Sequence, residues 1–170
     1  MSLDTFAKYL GILIFFAFLQ VVLLNNIAIT NIGLTPYLYI VFILILPLET
    51  PPWLLLVYAF SLGLIIDIFD DTGGLHSAAL LFVAFLRPVN LRIMAPRDGY
   101  ESGTQARIFH YGFGWFFKYA LLSVFVHHLI FFFLDTFSFE NFFYTLLRIF
   151  ATTLLSVTVI MMSQYLIFRK

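Results

Sequence analysis

Six apolar stretches alternate with short polar breaks along the 170-residue chain. A helix needs about 20 consecutive apolar residues to cross a bilayer core of about 30 Å. The pattern therefore predicts one all-α integral membrane domain, a bundle of six transmembrane helices over residues 9–24, 36–48, 52–68, 75–95, 112–134 and 142–168. The second stretch is short for a crossing, so it either starts before Pro36 or is covered by neighbouring helices.

Prolines mark where several of these helices begin or bend. Thr35 before Pro36 and Thr50 before Pro51 are typical of helix starts, because threonine caps the free N–H groups and proline is tolerated in the first turn. Pro88 interrupts the fourth stretch and predicts a kink there.

The composition supports a membrane protein and excludes several other classes. Hydrophobic residues make up 62% of the chain and charged residues 11%, which is too apolar for a soluble domain. The chain has no cysteine, which excludes disulfides, thiolate metal ligands and cysteine nucleophiles. Its few charges sum to a formal net charge of +0 and give no reason to expect nucleic acid as a partner.

The basic residues predict the orientation in the membrane. If the N-terminus is cytoplasmic and the chain crosses six times, almost all of them lie on or near the cytoplasmic side: Lys8, Arg87, Arg92, Arg97, Arg107, Lys118, Arg169 and Lys170. Only Arg148 lies in the other half of the bilayer. This distribution follows the positive-inside rule, so both termini are expected in the cytoplasm.

Residues 60–80 are the most unusual part of the chain, because Asp67 lies in an otherwise apolar helix. Gly63 precedes Asp67 by four residues, so both share one helix face where a neighbouring backbone can approach closely. A carboxylate at this depth faces protein or water, not lipid. We expect Asp67 either to reach headgroup water or to have a partner within the membrane. Further candidate residues follow at once: Gly73, Gly74 and His76.

Depth suggests which groups could partner Asp67. The predicted topology places Asp67, Arg148 and His127 in the outer half of the bilayer, so a polar cluster with Arg148, His127 or His128 is expected, and Arg148 is the leading candidate. No metal site is expected, because the adjacent His127 and His128 point to different helix faces. Without a phosphate-binding loop, a nucleophile elbow or paired acids, the sequence predicts neither an enzyme nor a cofactor.

Residues 63–80 resemble the signature of the MreD family, bacterial rod shape-determining membrane proteins. The resemblance depends on a glycine four residues before an aspartate, then a glycine pair and a run of small residues that opens the next helix: Gly63, Asp67, Gly73, Gly74, His76, Ser77, Ala78, Ala79 and Leu80. Residues 86–101, from Leu86-Arg87-Pro88 to Gly99-Tyr100-Glu101, look particularly like MreD proteins of Bacteroidota.

The resemblance implies a non-enzymatic member of the cell-wall elongation complex in the bacterial inner membrane. It implies a bundle similar to the substrate-binding S components of ECF vitamin transporters. The implied direct partner is MreC, and MreB, RodA and a penicillin-binding transpeptidase are reached through the complex. Structural or partner-contact roles are expected for Gly63, Asp67, Gly73, Gly74 and His76. The alternative function is that of a small-solute or vitamin-binding membrane subunit of a transporter.

Overall fold

The computed structural model describes residues 3–26, 34–136 and 141–166. Its seven α-helices are α1 (Leu3–Phe18), α2 (Ile40–Ile45), α3 (Pro52–Asp70), α4 (Leu75–Ile93), α5 (Ile108–Tyr111), α6 (Phe113–Thr136) and α7 (Phe142–Leu166). A π-helical segment, Leu19–Leu24, continues α1. Within the described ranges there is no β-strand, and only an isolated bridge joins Pro47 to Gln105. The predicted all-α class is therefore confirmed.

Among the described residues, four helices are long and apolar enough to cross a membrane: Thr5–Leu24, Pro52–Asp70, Phe113–Thr136 and Phe142–Leu166. They indicate a membrane protein, with four candidate spans where the sequence predicts six. α4 is as long as α3, at 19 residues, but it does not join this set because Arg87, Asn90 and Arg92 lower its hydropathy. α4 continues through Pro88 and ends at Ile93.

The long helices pack in a simple order. α3 and α4 form an antiparallel hairpin, α4 also packs on α6, α6 packs on α7, and α1 packs on α3. The short connection between α3 and α4 turns sharply, with positive φ angles at Asp71 (54°), Gly73 (59°) and Gly74 (101°). These left-handed conformations favour glycine, so the glycine pair allows the chain to reverse within four residues.

The second apolar stretch is not a transmembrane helix. Only Ile40–Ile45 are helical, and residues 34–38 before them have no regular secondary structure. Residues 39–46 are 0–1% exposed, and α2 contacts α1, α3, α4 and α6. Non-helical backbone is tolerated at membrane depth only where protein covers it, and here four helices do so. A continuous helix over 36–48 is therefore not formed, while the expected covering by neighbouring helices is present.

Contacts between distant segments define two ends of the bundle. At the hairpin end, the Asn25 side-chain amide donates to both carboxylate oxygens of Asp70 at 2.7 Å. At the loop end, the Gln105 side-chain amide donates to the Tyr9 hydroxyl at 2.7 Å, and Gln105 also bridges to Pro47. The buried segment 34–50 therefore runs between the two ends, antiparallel to α1.

Candidate functional site

Asp67 lies in the last turn of α3 and is only 5% exposed. Its Oδ1 accepts hydrogen bonds from Thr72 Oγ1 at 2.6 Å and from the His76 backbone N–H at 2.9 Å. Its Oδ2 accepts from the Ser77 backbone N–H at 2.9 Å and from Ser77 Oγ at 2.5 Å. The first N–H groups of a helix have no partner within it, and their end of the helix dipole favours negative charge. Asp67 therefore caps α4 from the neighbouring helix.

Gly63 makes this cap possible. A Cβ atom at Gly63 would lie 2.4 Å from Ser77 Cα and 2.7 Å from Ser77 N, closer than real Cβ contacts. The backbones of α3 and α4 touch there, which is the close approach that the four-residue spacing predicts. Without it, the first turn of α4 would stand too far away for both oxygens of Asp67 to reach its N–H groups.

Arg148 is not the partner of Asp67. Its Nη1 lies 3.4 Å from Asp135 Oδ2, and its guanidinium lies 4.5 Å from the Phe132 ring centroid. The Arg148 side chain is 31% exposed, so the pair with Asp135 is at the surface. The predicted pair is wrong, because the carboxylate of Asp67 is already saturated by donors of α4 and its preceding turn, while Arg148 pairs with Asp135 near the end of α6.

His76 and His127 meet at a tyrosine of the buried segment. The Tyr39 hydroxyl lies 2.8 Å from His76 Nδ1 and 2.6 Å from His127 Nε2. On its other side, His76 Nε2 lies 3.5 Å from Asp70 Oδ2. A polar chain thus leads from the hairpin end to His127, which is 0% exposed. The expected cluster of Asp67 with the histidines does not form: only the backbone of His76 binds Asp67.

His128 points away from this chain, towards α7. Its Nδ1 lies 3.0 Å from Thr153 Oγ1, so the two adjacent histidines have different hydrogen-bond partners, as their different helix faces predict. Across the described residues, no group of three or more histidine, cysteine or acidic side chains is arranged to hold a metal ion.

Arg87 is a site residue that the sequence reasoning assigned to the cytoplasmic side. It is 1% exposed, and its guanidinium donates to the carbonyl oxygens of Leu46, Leu44 (3.4 Å) and Pro47 (3.4 Å), where α2 ends. Its Nε donates to the Tyr119 hydroxyl at 3.0 Å. A cation is favoured at the carbonyl end of a helix. The signal that could have found it is an arginine inside an apolar stretch, which rarely faces lipid.

Gln20 binds backbone groups at the other end of the buried segment. Its Oε1 accepts from the backbone N–H groups of Leu38 (2.9 Å) and Tyr39 (3.3 Å), and its Nε2 donates to Pro36 O at 3.0 Å. Ser156 Oγ of α7 accepts from the Tyr37 N–H at 2.9 Å. Side chains therefore supply the hydrogen bonds that a regular helix would have made for itself.

The polar loop at the loop end is folded against the helices. Ser102 Oγ donates to Glu49 Oε1, and the Tyr100 hydroxyl donates to Leu91 O at 2.7 Å. Burial raises the pKa of Tyr100 to about 12. At neutral pH Tyr100 is therefore a neutral donor that holds the loop to the end of α4.

Together these features define an all-helical membrane protein whose centre is a discontinuous buried segment held by side chains of the surrounding helices. In its interior, Gln20, Asp67 and Arg87 bond to backbone groups of the protein itself. No protein-family model, no curated protein and no solved structure matches the chain.

Proposed function

We propose that this chain is a non-enzymatic membrane scaffold that acts through its outer surfaces. The observation that carries the proposal is how the interior polar groups are used: Gln20, Asp67 and Arg87 all bind backbone groups that hold the fold together. A solute carrier needs convergent polar groups that remain free for its ligand. These three side chains are instead committed to the architecture.

The outer surfaces offer apolar grooves for other membrane components. One groove of about 200 Å³ lies between α1 with its π-helical continuation and α3, lined by Ile14, Ala17, Phe18, Val21, Val22, Ile65 and Phe69. Contiguous apolar grooves of this kind suit partner helices and lipid chains. They favour a protein that organises partners within the membrane.

The proposed topology has six passes, of which the buried segment 34–50 is the second and α4 the fourth. Contacts at both ends support it: Tyr9 meets Gln105 at the loop end, Asn25 meets Asp70 at the hairpin end, and Tyr165 near the end of α7 lies 6.1 Å from the Phe109 ring. Most basic residues of the sequence cluster towards the loop end, so we place that end and both termini in the cytoplasm.

The MreD-like signature gives the scaffold a specific proposed setting in the bacterial inner membrane. The joint role of Gly63 and Asp67 in the α3–α4 contact supplies a physical reason for that spacing. On this proposal the direct partner is MreC, and the complex connects MreB filaments with RodA and a penicillin-binding transpeptidase.

One observation favours the second candidate, a small-solute or vitamin-binding transporter subunit. His127 Nδ1 and His128 Nε2 are buried and have no hydrogen-bond partner among the described residues. Two free imidazole nitrogens inside the bundle are polar groups that a small solute could engage.

Native co-purification separates the two functions. The tagged chain, extracted from its own membrane in mild detergent, should carry a single-span MreC-like protein, and a photoreactive residue at Ile14 should cross-link to it more than one at Leu147 of α7. Recovery of ATP-hydrolysing transporter subunits or a bound vitamin, without MreC, would contradict the scaffold and support the alternative.

A cysteine test addresses the topology independently. The chain has no native cysteine, so Ser102→Cys and Asn141→Cys each introduce one reactive thiol. In intact spheroplasts an impermeant maleimide should label the cysteine at 141 and spare the one at 102. Labelling of both from outside would rule out the six-pass arrangement.

A further inference from the structure

Two clefts on the surface of the bundle meet at Lys118. The larger, of about 530 Å³, runs between α6 and α7 and is lined by Lys118, Leu121, Leu122, Phe125, Phe150, Thr153 and Leu154. The second, of about 500 Å³, lies between α4 and α6 at the loop end and is lined by Ile93, Met94, Gly114, Trp115 and Lys118. Because they share Lys118, the two clefts form one path from the loop end down the side of the bundle.

The two parts of this path differ in chemistry. The α6 residues of the larger cleft are spaced three and four apart from Lys118 to Phe125, so they form one helix face about 10 Å long. Thr153 is the other polar residue in that lining, and its hydroxyl is 3.0 Å from His128 Nδ1. Below Lys118 the cleft therefore presents an apolar surface.

The smaller cleft has the features of a membrane interface. Trp115 Nε1 donates to Met94 O at 2.7 Å, which fixes the indole beside Lys118. A Cβ atom at Gly114 would meet nothing within 4 Å, so there is open space next to the lysine. Tryptophan and lysine together are typical of the level at which lipid headgroups lie.

Lys118 is the only charged residue in either lining, and no acid neutralises it there. It is exposed, and it forms no ion pair with a described residue. Lys118 is the sixth residue of the candidate span Phe113–Thr136, where an ammonium group needs water or an anion. The occupant that this charge pattern fits has one anionic group at the interface and a long apolar tail.

We propose that this path binds one anionic phospholipid, with its phosphate at Lys118 and an acyl chain in the cleft between α6 and α7. A partner helix fits the shape less well, because the apolar part is only about two helical turns long and stops at the Phe125–Phe150 ring pair, whose centroids are 5.6 Å apart. The site depends on the helix packing and the position of Lys118 alone, so it stands apart from the proposed scaffold function.

Native mass spectrometry of the purified full chain tests the proposal with phosphatidylglycerol and phosphatidylcholine of identical acyl chains. We expect one phosphatidylglycerol to bind at least about fivefold more tightly than phosphatidylcholine, since one lysine near a membrane surface contributes about that factor towards an anionic lipid. Lys118→Gln should remove this preference, and Lys118→Arg should keep it. Arg92→Gln, which changes an exposed cation that lines neither cleft, should leave it intact.

A cleft-filling variant tests the acyl-chain part. Leu122→Trp should weaken binding of both lipids severalfold while the preference for the anionic one remains, whereas Leu147→Trp, on the exposed face of α7 outside the clefts, should change neither. Equal binding of the two lipids to the wild-type chain, or an unchanged preference in Lys118→Gln, would overturn the proposal and leave a cleft that takes detergent or any acyl chain. Because the comparison of the two lipids uses the wild-type protein, it tests the proposal even if a variant expresses poorly.

Discussion

Asp67 and Arg87 are opposite charges buried in the same bundle, and they are stabilised in the same way. Asp67, 5% exposed, accepts from N–H groups where α4 begins, and Arg87, 1% exposed, donates to carbonyl groups where α2 ends. Neither forms an ion pair with a described residue. A buried charge without a counter-charge costs roughly several kcal/mol. Here the partial charges at helix ends take the place of an oppositely charged side chain.

The two sites differ in what they connect. Asp67 joins consecutive helices, and its donors lie within ten residues of it along the chain. Arg87 joins α4 to a segment about 40 residues away, and it supplies partners for carbonyls that have left regular helix geometry. Asp67 therefore stabilises a local hairpin, whereas Arg87 stabilises the discontinuous centre of the fold. The loss of Arg87 should be the more damaging.

The largest effect is expected for Arg87→Met. The substitution keeps much of the volume but leaves the buried carbonyls of Leu44 and Leu46 without this donor, so the free energy of unfolding should fall by about 3–5 kcal/mol. Arg87→Lys, which keeps the charge without the planar fork, should lose roughly half as much. Denaturant titration in detergent micelles measures both. Wild-type stability in Arg87→Met would show that the carbonyls find other partners.

Asp67→Ala should cost less, about 2–3 kcal/mol, because it removes a helix cap and leaves buried N–H groups of His76 and Ser77 without their acceptor. Asp67→Asn retains one acceptor oxygen, so its free energy of unfolding should lie between those of the wild type and Asp67→Ala. The same titration measures these variants, and hydrogen exchange should localise the loss to the first turn of α4. An equal loss for Asp67→Ala and Arg87→Met would remove the distinction between local and long-range roles.

Gly63→Ala tests the approach that makes the Asp67 cap possible. A Cβ atom 2.4 Å from Ser77 Cα forces α3 and α4 apart, so even alanine should destabilise by about 1–3 kcal/mol. Gly114→Ala in α6 is the matched control, since its Cβ would meet nothing within 4 Å. The control should be neutral or stabilising by about 0.5–1 kcal/mol, because alanine favours helix over glycine. Similar thermal melting shifts for both would contradict the close packing.

Tyr39→Phe extends the comparison to a buried group that bonds to side chains. It removes the hydroxyl between His76 and His127 and should cost about 1–2 kcal/mol, the scale of leaving buried ring nitrogens without a partner. Chemical unfolding measures the loss, and Tyr144→Phe on the exposed surface of α7 is the control. An unchanged stability would indicate that the two imidazoles re-pair with each other or with water.

The smallest effect concerns Asp67 and Arg148. Because each has its own partners, Asp67→Asn and Arg148→Gln should add, with a coupling below about 0.5 kcal/mol in a double-mutant cycle. Arg148→Gln alone should cost under about 1 kcal/mol, as its pair with Asp135 is surface-exposed. A coupling energy well above that value would show that Asp67 and Arg148 interact, as their similar predicted depth suggested.

The sequence was sufficient for part of this arrangement. The spacing of Gly63 and Asp67 predicts a helix contact beside a buried acid, because that spacing depends only on helix geometry. It could not identify the donors to Asp67, because two of the four are backbone N–H groups that any residue provides and the other two are the hydroxyls of Thr72 and Ser77. Matching side-chain charges by depth favoured Arg148, because the backbone N–H groups that stabilise Asp67 cannot be identified from residue types.

The buried segment shows a second limit. Its apolar run fits a short transmembrane helix and a covered irregular segment equally well, because both are uniformly hydrophobic. What distinguishes them is the presence of Gln20 and Arg87 on other helices. The positive-inside count placed Arg87 on or near the cytoplasmic side and so did not reveal this role. A polar residue inside an apolar stretch is better treated as the partner of a non-helical backbone elsewhere.

The hydrogen bond from Tyr37 to Ser156 has a consequence for how the protein is made. Tyr37 belongs to the second apolar stretch to leave the ribosome, and Ser156 belongs to the last helix. The N–H of Tyr37 therefore has no access to this acceptor until α7 has been synthesised. Before α7 is synthesised, the acceptor for this N–H must be water or another transient group, and the packing of α7 supplies the acceptor found in the folded protein.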